Sequence, residues 1–416
     1  MGKWSKGTIA TTCQNLDRLR IPISGTERST IQGDIPYYGA NGQVGYIDDY
    51  LFDEPLILIA EDGGNFEQYE SRPIAYRISG KSWVNNHAHI LKALPNYDQD
   101  YIFYSLEHAN VLYYIAGGTR SKLTQKELSK IEIIYPEDIK EQHKIAKILA
   151  TIDEAIDKTK TIIEKYKAVK EGLMQDLLAN GIDENGVIRS QKTHEYKDSP
   201  LGKIPVEWKD TTVKLNFKLR ARIGWQGLKA SEFIEDGPFV VTGTDFELGK
   251  INWDNCYHVS YKRYEQDAGI QLHDGDLVIT KDGTIGKTAF ITDCPPQTTL
   301  NSGVFVIRPK NNDIFSKYFY YILNSRYFEQ FMRNYLTGST IKHLNQEIFY
   351  DMVIVVPKNI DEQKRIVNKL DSIQNAIYKE IEQLKKYNQI KHGLMQDLLT
   401  YKVSVDPLLE RSVENE

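Results

Sequence analysis

The chain has 416 residues, 41% hydrophobic and 26% charged, with a formal net charge of −5. That composition excludes a disordered chain, a collagen-like chain and a membrane bundle, and the length allows two or three domains. No apolar run approaches the ~18–20 residues of a spanning helix.

The N-terminal segment lacks the apolar core of a signal peptide, and Lys3 and Trp4 after Gly2 make a poor myristoylation site. Three distant cysteines, Cys13, Cys256 and Cys294, fit neither a disulfide framework nor a zinc knuckle. A reducing cytoplasm is the expected compartment. Any nucleic-acid site must be a local basic patch on a slightly acidic body. The many tyrosines suit half-buried strands, and some could stack on nucleotides.

Residues 1–136 carry short runs such as Gly45-Tyr46-Ile47, Leu56–Ile59 and His89-Ile90-Leu91, set between Gly, Asn and Asp. These predict short strands. A helical pattern follows over Tyr101–Leu112, then a strand over Ile131–Tyr135. Pro136 ends that strand, and Asp138-x-x-Glu141 reads as a capping box opening a long helix. Its apolar residues run from Ile145 through Ile152, Tyr166 and Leu173 to Leu177 at spacings of three and four. Asn180-Gly181 stops it.

A polar, irregular link, Asp183–Glu207, leads to a second segment of the same style. It contains Phe239–Val241, Leu277–Ile279, Gly303–Ile307, a helical pattern over Phe315–Tyr335 and a strand over Met352–Val356. Pro357 and Asn359-x-x-Glu362 open a second long helix through Ile366, Ile373, Tyr387, Leu394 and Leu398. Each helix has about 38 residues, roughly 57 Å at 1.5 Å per residue. That length favours two helices packed antiparallel on each other over two ordinary core helices.

The similarity is a true repeat. Gly172–Leu178 recurs as Gly393–Leu399, 393 against 172, an offset of 221. The same offset aligns Glu141-Gln142 with Glu362-Gln363, Pro136 with Pro357, Leu123 with Leu344, and Gly117 and Thr119 with Gly338 and Thr340. Common segments hold a common job, and variable segments hold two jobs of one kind. The expected fold is α+β: two similar α/β domains with curled sheets, separated by two long antiparallel helices, as a pseudo-twofold repeat. The expected boundaries are 1–136, 137–180, 181–357 and 358–416.

Chemical motifs are few. Gly283–Thr288 resembles a phosphate loop, but Lys281 stands where the first glycine belongs, so a hairpin turn is expected. His87-x-His89 lacks a third metal ligand and reads as structural. The single Pro-Pro, Pro295-Pro296, lacks the flanks of an adenine methyltransferase loop. The chain therefore reads as lacking its own catalytic centre and metal site. Basic clusters are more informative: Lys214, Lys218, Arg220 and Arg222 before Trp225 and Gln226, then Arg18, Arg20 and Arg28. Thr119–Lys122 and Ser339–His343 occupy the same repeat position, and their hydroxyls and cations suit phosphate oxygens.

Asp34–Gly42, Gly45–Tyr50, Leu58–Gly63, Trp83–His89, Leu201–Trp208 and the two Gly-Leu-Met-Gln-Asp-Leu-Leu helix ends together resemble the specificity subunit of Type I restriction-modification enzymes. The likeness covers essentially the whole chain. It implies two target recognition domains, each reading half of a split DNA site, with no catalysis in this chain. It also implies two methyltransferase subunits docked on the helices through Ile152, Tyr166, Leu173, Ile373, Tyr387 and Leu394. S-adenosylmethionine, ATP and Mg²⁺ belong to the methyltransferase and motor-nuclease partners.

Base contacts are expected from Tyr37, Tyr38, Asn41 and Gln43, and from Trp225, Gln226, Thr244 and Lys281. Phosphate contacts are expected from Arg18, Arg20, Arg120, Lys122, Lys218, Arg220, Arg222, Lys342 and His343. Unlike readers imply an asymmetric site, and a ~57 Å helix caps the half-site separation at roughly 17 base pairs. The rival readings are a coiled-coil adaptor without DNA readout, a methylation-only system, and a self-sufficient enzyme with a cryptic site. The bases recognised are not legible in the residues.

Overall fold

The computed structural model describes residues 3–115, 121–223, 227–336, 343–405 and 407–408. The chain divides into two compact units, Met1–Thr161 with Ile381–Glu416, and Ile162–Glu380. In chain order the first unit contains β1 (Trp4–Thr8), β2 (Cys13–Asn15), β3 (Ile35–Gly39), β4 (Gly42–Ile47), β5 (Leu56–Ala60), β6 (Ala75–Ile78), β7 (Lys81–Val84), β8 (Ala88–Ala93), α1 (Gln99–Glu107) and β9 (Glu132–Pro136). The long helix α2 (Ile139–Asn180) follows. The second unit contains β10 (Trp208–Thr212), β11 (Phe217–Arg220), β12 (Ile234–Val241), β13 (Tyr257–His258), β14 (Leu277–Thr280), β15 (Thr288–Phe290), β16 (Thr298–Leu300), β17 (Val304–Pro309), α3 (Ser316–Leu323) and β18 (Val353–Pro357). The second long helix, α4, is Ile360–Leu398.

The repeat extends to topology. One four-stranded sheet runs β2-β8-β5-β6, and its counterpart runs β11-β17-β14-β15. A smaller sheet in each unit is built on a parallel pair, β3 with β7 and β12 with β16. The first strand of each unit pairs with the last, placing Trp4 opposite Pro136 and Trp208 opposite Pro357.

The central strands explain the layering. Leu56 to Ala60 is buried throughout, as expected of a strand covered on both faces. Ile57 and Ile59 join the core under α1, whereas Leu56 and Leu58 join the core shared with Val84 and Ile90. In the second unit Leu277 and Ile279 face the α3 side, and Val278 faces Val304 and Val306. The expected hairpin at Gly283 is present: Leu277 pairs with Phe290, and Gly283 and Gly286 both have positive φ.

The Glu-Gln pair of the repeat stitches each domain to its long helix. Buried Gln142 donates to the Pro136 carbonyl at 2.8 Å and accepts from the Asp98 amide at 2.9 Å, just before α1. Buried Gln363 donates to the Pro357 and Asp313 carbonyls, both at 2.9 Å, and accepts from the Phe315 amide at 2.8 Å. Each backbone group so matched would otherwise cost about 1–3 kcal/mol.

Within each unit the two long helices run antiparallel. In the first, Lys391 on α4 meets Asp153 on α2 at 2.7 Å and Glu107 at 2.8 Å. In the second, Lys170 on α2 donates to Gln374 on α4 at 2.6 Å. Lys170 and Lys391 are equivalent in the repeat, as are Asp153 and Gln374. Burial lowers the Lys170 ammonium, whose partner is a neutral amide.

Two expectations need correction. The second capping box is only half formed. Asp138 accepts from the Lys140 amide and Asn359 from the Asp361 amide, both at 2.8 Å. Glu362, however, is buried and turned inward, taking the Arg189 guanidinium, the Trp208 indole N–H at 3.1 Å and the Ile182 amide at 3.3 Å. The link after α2 is not wholly irregular either, since Tyr196–Ser199 and Gly202–Pro205 form a hairpin. The stop at Gly181 is as expected: φ is +67°, and a Cβ there would strike Glu362, Arg189 and Trp208 within 2.7 Å.

Candidate nucleic-acid interface

Each unit brings three loops together at one end of its large sheet. In the first, Leu123 donates its amide to the Glu61 carbonyl at 2.8 Å, and Asp62 bridges Lys122. The tip of the β3–β4 hairpin closes on the same loop, with Asn41 donating to the Gly63 carbonyl at 2.8 Å. In the second unit Leu344 donates to the Lys281 carbonyl at 2.7 Å, and Asp282 bridges His343. There a turn over Thr242–Asp245 replaces the hairpin tip; a Cβ on its Gly243 would lie 3.4 Å from Thr280 Cγ2.

The scaffolding is shared, but its charge differs. Glu61 carries hydrogen-bonded cations, Arg20 at 2.7 Å and Lys122 at 3.0 Å. Burial works to raise its carboxyl, but Arg20 and Lys122 outweigh that and hold it below its ordinary range. The equivalent position in the second unit is Lys281, which pairs with Asp282 at 3.0 Å.

Behind Glu61, buried His89 places Nδ1 at 2.6 Å from Asp17 and Nε2 at 2.7 Å from the Leu123 carbonyl. Burial pushes Asp17 up, yet His89 and the Ile90 amide pull it lower overall. Both His89 nitrogens serve the fold, and His87 meets Asp62 at 2.8 Å.

A pH dependence follows. Two depressed carboxyls contribute stability that is complete above their ordinary values of about 3.9 and 4.3 and is lost as pH falls toward the lower folded values. Acid titration is expected to loosen the first unit below about pH 4, and Asp17→Asn should remove part of that dependence. Amide exchange of Ile90 and Leu123, followed against pH, reads this out. Equal protection at pH 3 and pH 6 would contradict it.

The family model for the Type I restriction modification DNA specificity domain matches residues 8–168 and 218–392. The chain belongs to that family. A putative Type I restriction enzyme specificity subunit of Haemophilus influenzae is 26% identical over 360 residues, covering 86% of this chain and 84% of its own. The MjaVIII specificity subunit of Methanocaldococcus jannaschii is 27% identical over 317 residues, covering 75% and 72%. The fold matches a crystal structure of the M. genitalium Type I restriction-modification S subunit, with a TM-score of 0.64, 15% identity and 96% coverage of both chains. The chain is therefore a specificity subunit of such a system, a non-catalytic component.

In this specificity subunit the expected contact residues divide sharply. Asn41, Gln43, Arg18 and Thr244 are exposed, as are Lys218 and Arg220, which share the outer face of β11. His343 is exposed, and Lys281 is half-buried. Arg120, Trp225, Gln226 and Lys342 lie outside the described residues.

Others are committed elsewhere. Tyr37 is 1% exposed, in a small core with Ile47 and Trp83, so it is not a surface reader. Tyr38 is half-buried against Tyr76. Arg20 is held by Glu61 and by the Asn86 and Ala88 carbonyls. Arg222 is 2% exposed and donates to the Leu300 carbonyl at 2.9 Å and Thr299 at 3.2 Å. Burial, with Arg263 nearby, lowers its guanidinium. Both arginines act as clamps rather than free phosphate ligands. On the helices, Leu173 and Leu394 pack against the cores of their own units, while Ile152, Tyr166, Ile373 and Tyr387 are half-buried.

The structure also shows exposed apolar groups that the sequence reading passed over. Val44 and Tyr46 stand out from β4 beside Gln43. Tyr113, 92% exposed, sits on the turn Leu112–Tyr114. No local pattern distinguishes Tyr113 from its half-buried neighbour Tyr114. Among the described residues no helix is long and apolar enough to cross a membrane.

Proposed function

We propose that each unit reads one half of a bipartite, asymmetric double-stranded DNA site. On this reading the long helices dock two methyltransferase subunits that modify adenine, in the cytoplasm. Motor-nuclease subunits would join for cleavage, and S-adenosylmethionine, ATP and Mg²⁺ would be held by those partners. One observation carries the reading. The two units share strand order and loop closure, but at equivalent points of that closure one has Glu61 and Lys122 and the other Lys281 and His343. Shared scaffolding with divergent side chains suits two readers of one kind with different preferences.

Base edges would be read by Asn41 and Gln43 in one unit and by Thr244 and Lys281 in the other. Lys122, Lys218, Arg220 and His343 would meet phosphates. Tyr46 and Tyr113 offer faces for stacking or apolar contact.

The test is co-expression with the cognate methyltransferase in a methylation-free host, then single-molecule mapping of methyladenine. A split motif with unlike halves is expected. A continuous or palindromic motif would refute the two-reader reading. A stable complex that modifies nothing would favour a coiled-coil adaptor.

A further inference from the structure

The hairpin of β3 and β4 carries an irregularity that the packing of this chain does not use. Tyr38 pairs with Gln43 and Tyr37 with Gly45, so Val44 has no partner across the ladder. This is a β-bulge, one extra residue in β4, and a bulge re-aims side chains. In a regular strand successive residues point to opposite faces. Here Gln43 and Val44, adjacent in the strand, are both exposed, Val44 to 52%. Tyr46, 51% exposed, extends the apolar surface along the strand. A Cβ on Gly39 would lie 3.2 Å from Val44 Cγ1, so the isopropyl group rests against a glycine with its outer side open.

The bulge is held where the three loops of the first unit meet. Asn41 ties the hairpin tip to the Gly63 carbonyl, and the Tyr76 hydroxyl donates to the Gly39 carbonyl. Lys122, with its side chain 48% exposed, stands on the loop bridged to Asp62. That cation favours a polyanion over an apolar protein surface as the occupant. β4 is the edge strand of its sheet, so the hairpin forms a two-stranded ribbon at the margin. The major groove of DNA admits such a ribbon. Gln43 makes one hydrogen bond among the described residues, from Nε2 to the Gly45 carbonyl of its own strand at 3.3 Å. Its amide can turn to a ligand at little cost.

We infer that the bulge reads an adenine and a neighbouring thymine in one half-site. Gln43 pairs through its amide with adenine N6 and N7, and Val44 packs on the C5-methyl group of the thymine. The chemistry matches on both counts. An amide offers an acceptor and a donor side by side, as that edge of adenine requires, and thymine alone presents a methyl group in the major groove. The second unit lacks the device. Its turn over Thr242–Asp245, which replaces the hairpin tip, contains no large apolar residue. This inference rests on the reading that each unit binds half of a DNA site.

The experiment uses the full chain assembled with the cognate methyltransferase, and duplexes that carry the mapped site. Each thymine is replaced in turn by uracil, which removes the methyl group and nothing else. For wild type, uracil at one position of one half-site should weaken binding about fourfold, the value of one buried methyl group. Val44→Ala should abolish that preference for thymine over uracil, and Val44→Ile should keep it. Gln43→Glu should shift the methylated motif at one position beside that thymine from adenine toward cytosine, whose N4 amino group donates to a carboxylate. Both residues are exposed, so unchanged thermal melts are expected. A site bound selectively by wild type, with no thymine whose methyl group matters, would overturn the inference and leave the two-reader reading standing. A uracil effect that survives Val44→Ala would also overturn it. A complex without sequence-selective binding would overturn the two-reader reading and this inference with it.

Discussion

Glu362→Ala is expected to destabilise the second unit by about 3–5 kcal/mol, the range for removing one partner of a buried ion pair. The pair is well enclosed, with side-chain exposures of 9% for Arg189 and 4% for Glu362. The variant strands a guanidinium whose Nη2 lies 3.2 Å from the carboxylate, and it deprives the Trp208 indole and the Ile182 amide of their acceptor. Alanine cannot reach any of the three donors. Arg189→Met in the same background should recover part of the loss, because the orphaned charge is gone. Denaturant titration followed by indole fluorescence measures both. An unshifted midpoint for Glu362→Ala would mean that water replaces the carboxylate at no cost.

The second large effect concerns DNA. Lys218→Gln with Arg220→Gln removes two exposed cations from one face of β11. If both meet phosphates, the slope of log affinity against log salt should fall by about 1.8, at about 0.9 per phosphate. The methylated motif should stay the same, because phosphate contacts position the duplex without naming its bases. A changed motif would move these residues into base readout. An unchanged slope would take them out of the interface.

Much of the architecture was legible because it is local or duplicated. Pro136 and Pro357, the caps at Asp138 and Asn359, and the stop at Gly181 mark helix ends by local chemistry. The 221-residue offset carried the rest, since identical segments imply identical structure. Side-chain commitments were not legible, because they depend on distant partners. Arg222 looks like one more cation of a basic cluster, and only the Leu300 carbonyl, 78 residues on, reveals its burial. Tyr37 and Tyr38 look alike in sequence, but pleating and the irregular register between them send one inward and leave the other half-covered. Glu362 reads as a cap until Arg189 and Trp208 are placed beside it.

The division of the chain bears on how the molecule is made. The second unit is one continuous stretch, Ile162–Glu380, so a ribosome can finish it in a single pass. The first unit is interrupted. Its core holds Ile145, Ala146 and Leu149 from the start of α2, but also Leu398 and Val405, which are translated only after the whole second unit. The usual order of synthesis, N-terminal unit first, is thereby inverted. The unit begun first is closed last, and until then the apolar residues awaiting Leu398 stay open to chaperones or to unwanted partners.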